Sequence, residues 1–163
     1  MINIEPPSTP GTALNKSSLT RFLNRARTAI GLSGQVDVLL TSDAELKRLN
    51  RTFRGKNKAT DVLSFPADPF PGLPLEAQHA GDLAISLDTA AVQATRFDHT
   101  LEVEVKILLL HGLLHLAGED HEADTGQMAA RELTLRQRFK LPATLIERVT
   151  VPPQPAMRKA ARA

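Results

Sequence analysis

The chain has 163 residues, 42% of them apolar and 23% charged, with a formal net charge of +2, which suits one globular domain with a real hydrophobic core. It has no cysteine, which excludes disulfides, thiolate metal sites and a cysteine nucleophile, so any transition-metal site must be built from histidine and carboxylate. Six Phe with no Tyr and no Trp argue against a base-stacking platform of the RRM or OB type.

In chain order, residues 3–5 read as a short first strand, followed by a turn-rich stretch with Pro6, Pro7, Pro10 and Gly11. Ser17 or Ser18 is expected to cap a helix running to Ile30, with Leu19, Phe22, Leu23, Ala26 and Ile30 on one face. Residues 35–40 form a β-branched and aliphatic strand pattern. Ser42 or Asp43 caps a second helix over 44–53. Residues 59–65 (ATDVLSF) predict another strand, and the proline-rich stretch 67–80 a surface loop or lid.

A fourth strand is expected over 81–87 (GDLAISL), then a helix capped by Asp88 and running to about Arg96. The densest apolar pattern predicts a long helix over 101–117, closed by Gly118, and a last helix over 124–139. The whole predicts a single α+β domain over residues 1–150, with a small mixed sheet of about four strands and about five helices. Residues 151–163 read as a disordered basic tail.

The longest apolar stretch, 107–118, is broken by two histidines and falls short of the ~20 residues of a bilayer span. The start, MINIEPPSTPG, lacks the basic and apolar regions of a signal peptide. A cytoplasmic protein without a membrane partner is therefore expected.

The most informative segment is His111-Gly112-Leu113-Leu114-His115-Leu116-Ala117-Gly118-Glu119-Asp120-His121. Residues four apart on a helix share a face, so His111 and His115 can ligate one ion. Gly118 permits a left-handed turn that can return His121 to the same ion. Three neutral imidazoles leave the fourth position of a tetrahedral Zn²⁺ open, as in catalytic sites; one zinc per chain is expected, on a zincin-like helix. Gly112, costly by about 1 kcal/mol in mid-helix, serves close packing or substrate approach.

The spacing His-x-x-x-His-x-x-Gly-x-x-His is that of metzincin proteases, which place a glutamate general base directly after the first histidine. Here that position is Gly112, so a zinc peptidase is disfavoured. A protein whose zinc only braces the fold is a second alternative. His79 and His99, with no partner at ligand spacing, are expected at the surface. Ser64 and Pro66 read as the end of a strand.

HGLLHLAGEDH at 111–121 resembles the signature of the YbeY family of bacterial rRNA-maturation endoribonucleases. Two further blocks agree in order and spacing: NRTFRGK at 50–56 leading into TDVLSFP at 60–66, and GDLAI at 81–85. Members commonly have Tyr where this chain has Glu119. The resemblance implies a single-strand-specific, metal-dependent endoribonuclease acting in 16S rRNA 3′-end maturation and ribosome quality control. It also implies zinc at His111, His115 and His121, a functional arginine at Arg54, and partners in the ribosomal small subunit and its assembly factors. If zinc-bracing alone were the role, the chain would instead be a non-enzymatic ribosome-assembly factor.

On this basis Arg54 is expected to hold the scissile phosphate through paired hydrogen bonds. Lys47, Arg48, Arg51, Lys56 and Lys58, a run without acids, would attract the RNA backbone, although such a run is also what a solvated helix end looks like. Asp120 could orient a ligand imidazole, or cap the turn that follows it.

Overall fold

Four strands and five helices arise where the patterning places them, in a computed structural model that describes residues 1–5, 14–57, 60–120 and 122–142. The order is β1 (Ile2–Ile4), α1 (Lys16–Ile30), β2 (Gln35–Thr41), α2 (Asp43–Arg54), β3 (Val62–Pro66), β4 (His79–Ser86), α3 (Leu87–Arg96), α4 (Leu101–Leu116) and α5 (Gln127–Arg138). A single 3-10 turn, Leu75–Ala77, interrupts the proline-rich loop. The expected tail over 151–163 lies outside the described residues. No described helix is long and apolar enough to cross a membrane.

The sheet runs β1-β2-β4-β3, with β1, β2 and β4 parallel and β3 antiparallel to β4. Alternation sends Val36, Val38, Leu40, Val62, Leu83 and Ile85 into the main core, under α1 and α4. Leu63 and Ala84 face the other way, where Leu46 of α2 covers them. Helix α4 is buried on nearly every side because it packs against α1, α3, α5 and the two strands β3 and β4. Its unbroken apolar composition answers to that central position.

Several boundaries move for local reasons. Helix α1 is capped by Asn15, whose side chain accepts from the Ser18 amide, so the two serines lie inside the first turn. Helix α3 starts two residues early because Ser86, not Asp88, caps it. Strand β3 begins at Val62 because buried Asp61 turns its carboxylate back onto the Val62 amide (2.8 Å) and also accepts from Gln93 of α3 (3.3 Å).

Two glycines set how closely α4 approaches the sheet. A Cβ on Gly112 would come within 2.8 Å of Leu83 Cδ2, and the Ser64 hydroxyl donates to the Gly112 carbonyl at 3.3 Å. Of the two roles expected for Gly112, close packing is the one the contacts describe. Gly81 is tighter: its Cβ would sit 2.7 Å from the Phe65 carbonyl oxygen and 2.6 Å from Leu116 Cδ2. Because backbone cannot move aside as a side chain can, Gly81→Ala is expected to cost about 1–3 kcal/mol, measured by urea denaturation.

Candidate metal centre and adjoining cleft

His111 and His115 lie on consecutive turns of α4, and their rings meet edge to face with centroids 4.8 Å apart. Their Nε2 atoms converge to 3.2 Å. Two imidazole nitrogens at ~2.0–2.1 Å from one tetrahedral zinc stand about 3.3 Å apart, so this pair fits a shared ion. His111 is fully buried and His115 partly exposed, which puts the open side of the pair at His115.

The far side of His111 is occupied. Its Nδ1 lies 2.9 Å from Glu132 Oε1 on α5, and Glu132 Oε2 lies 3.6 Å from Arg136 Nη1 one turn further on. A carboxylate only accepts, so Nδ1 carries the ring proton and Nε2 keeps the lone pair that a metal needs. Neither Glu132 nor Arg136 was legible as a site residue, because nothing local links position 132 to position 111.

Gly118 ends α4 as expected. It adopts φ 93°, its amide donates to the His115 carbonyl (2.9 Å), and the Glu119 amide donates to the Leu114 carbonyl (3.1 Å). This paired closure is the Schellman motif, which needs a left-handed residue at Gly118. Glu119 is then held by Arg131 of α5, which also donates to the Ile30 carbonyl. His121, the expected third ligand, lies outside the described residues.

A cleft of about 340 Å³ opens beside His115 and is lined by Arg54, Ser64, Pro66, His115, Gly118, Glu119, Asp120 and Glu122. Arg54 is the last residue of α2, just before Gly55 at φ 68° turns the chain away. A helix end with a fixed exit therefore brings Arg54 to the wall of the cleft beside His115. Ser64 and Pro66, expected only to end a strand, line the same wall because alternate residues of β3 face α4. Asp120 also lines the cleft, and its Oδ1 accepts from the Glu122 amide at 2.9 Å, the turn-capping contact of its two expected roles.

Among the other cations, Lys47, Arg51 and Lys56 are exposed, and Lys58 lies outside the described residues. Arg48 is engaged within α2: Nε and Nη2 donate to Glu45 at 2.8 and 2.6 Å. That side-chain hydrogen bond holds the Glu45 carboxyl below its usual range. Lys47, Arg51 and Arg54 follow one helical face at i, i+4 and i+7, whereas Arg48 is turned about a quarter of the way round.

Of the two remaining described histidines, His79 is exposed as expected and His99 is partly covered. His99 Nε2 lies 2.6 Å from Oε1 of the buried Glu104. His79 joins Asp37 and Asp82, all exposed, in a cluster whose ligand atoms lie within 4.8 Å of one another and which could hold a metal ion. The pairing of β2 with β4 slips between Gln35 and Val36, so an extra residue in β4 puts positions 79 and 82 on one face. Regular alternation would have separated them, and Asp37 comes from another strand, which is why spacing gave no hint.

A core helix carrying two convergent imidazoles, with a buried carboxylate behind one and an arginine across the cleft, defines a candidate metallohydrolase centre on an α+β scaffold. The endoribonuclease YbeY family matches residues 11–140. A Koribacter versatilis protein named endoribonuclease YbeY is 52% identical over 149 residues, covering 91% of this chain and 93% of its own. A Solibacter usitatus protein of the same name is 51% identical over 136 residues, covering 83% and 87%. The solution structure of TM1509 from Thermotoga maritima superposes with a TM-score of 0.54 at 28% identity, over 86% of this chain and 92% of that one. The chain belongs to the endoribonuclease YbeY family.

Proposed function

We propose that the chain is a zinc-dependent endoribonuclease that cuts single-stranded RNA, with rRNA precursor at the 16S 3′ end as its substrate and ribosome quality control as its setting. The observation that carries the chemistry is the 3.2 Å convergence of His111 and His115 Nε2 beside a cleft shared with Arg54. His111, His115 and His121 would hold the ion. Zinc, when bound, supplies a Lewis acid that polarises a phosphoryl oxygen and acidifies water at neutral pH.

The remaining work falls to this chain's own groups. Arg54 offers a planar fork to the scissile phosphate and offsets the charge that develops there. Lys47, Arg51 and Lys56 attract the backbone without reading sequence, with Arg48 and Lys58 as further contributors. Asp120, at the cleft edge, accepts from the Glu122 amide and caps the turn there. Ribosomal small-subunit particles and assembly factors are the partners this role requires, in the cytoplasm.

The test is cleavage of a labelled single-stranded RNA by protein of measured metal content, beside a chelated sample. Cleavage that stops on chelation and returns with zinc is expected. Cleavage that continues unchanged after the metal is removed would refute the reading. Affinity for the same RNA should fall steeply as salt rises from 50 to 200 mM, by about tenfold or more if three cations neutralise phosphates; filter binding measures it.

A further inference from the structure

We infer that Arg136, Glu132 and His111 form a buried relay in which Glu132 is the positioning residue for the metal centre. This rests on the zinc reading above and assigns to α5 a part in it. The relay residues are 1%, 0% and 0% exposed respectively. Glu132 Oε1 meets His111 Nδ1 at 2.9 Å, and Arg136 Nη1 stands 3.6 Å from Glu132 Oε2.

Stability is a weak account of such a group. Burying three polar side chains carries a desolvation cost, and well-packed apolar residues of similar volume commonly do as well. The arrangement does something apolar residues cannot do. An imidazole held at Nδ1 has one permitted tautomer and one ring orientation, so its Nε2 lone pair points in one direction. That nitrogen lies 3.2 Å from His115 Nε2, the spacing of two ligands on one ion.

The rest of α5 keeps Glu132 at that address. Arg131 grips both Glu119, just after the Schellman turn, and the Ile30 carbonyl at the end of α1. Arg136 also donates to the Pro142 carbonyl, fastening the chain beyond α5. A helix distant in sequence from the histidines is thereby locked to the turn that follows them.

The experiment compares zinc affinity, by chelator competition, in the full chain and in Glu132→Gln and Glu132→Gln/Arg136→Met. The single variant leaves a buried guanidinium without its carboxylate and can fail to fold. The double variant removes both charges and keeps the volume. Zinc affinity is expected to fall by about 10–100-fold in the folded double variant. Nitrogen NMR of the zinc-free protein is expected to show His111 as the Nδ1-protonated tautomer in wild type and as a mixture in the double variant, a change that a purely structural pairing would not require.

A folded double variant with wild-type zinc affinity and an unchanged tautomer overturns the relay alone. A wild-type protein that binds no zinc, or whose zinc survives His115→Ala, overturns the metal reading and the relay with it.

Discussion

His115→Ala is expected to abolish RNA cleavage and zinc binding at this centre while leaving the unfolding temperature of the zinc-free protein within a few degrees of wild type. The side chain is partly exposed at the mouth of the cleft, so its removal leaves little buried void. His111→Ala should look different. It takes a hydrogen bond from the buried Glu132 carboxylate and opens a cavity at a fully buried position. The lost hydrogen bond and the cavity together cost about 3–5 kcal/mol, a shift of roughly 10 °C in a domain of this size. The His115 variant is thus the cleaner test of chemistry. Thermal scans of zinc-free protein, beside metal analysis and an RNA cleavage assay, separate the two. Equal destabilisation by both substitutions would contradict the placement of His111 as the buried, braced ligand.

Arg54→Ala is expected to lower the cleavage rate by about 100- to 1,000-fold, the usual cost of one preorganised donor aimed at developing charge. Zinc content and stability should remain those of wild type, because Arg54 is exposed and lies at the end of α2. Arg54→Lys should recover only a small part of the rate, since an ammonium restores the charge without the two-pronged geometry. Single-turnover kinetics on single-stranded RNA measure both. A Lys variant as fast as wild type would reduce Arg54 to one more member of the electrostatic surface formed by Lys47, Arg51 and Lys56.

The convergence of His111 and His115 was legible because helical periodicity is local: positions 111 and 115 share a face wherever the helix goes, and Gly118 announces its end. The α+β class and its strands and helices were legible for the same reason. Contacts between distant segments were not. Glu132 reaches His111 only because α5 folds back onto α4, and Ser64 enters the cleft wall only because β3 lies along that helix. The His79 cluster depends on a one-residue slip in strand pairing, which a period-two rule reads as the opposite face. Arg54 came from family resemblance; charge clustering alone did not separate it from Arg48, which its neighbour Glu45 occupies.

The sheet topology bears on the order in which the protein acquires its competences. The β3–β4 hairpin and the α3–α4 pair join neighbours in the chain, whereas β2 must find β4 across α2, β3 and the proline-rich loop. Contacts between distant segments pay their loop-closure entropy before they are rewarded and tend to form late. The histidine helix and its hairpin belong to the early half, and α2 with Arg54 belongs to the late one. If the proposed site is right, a newly made chain is expected to gain its ion-binding pair before its phosphate-holding arginine is in place, an order that pulse-labelling hydrogen exchange during refolding measures.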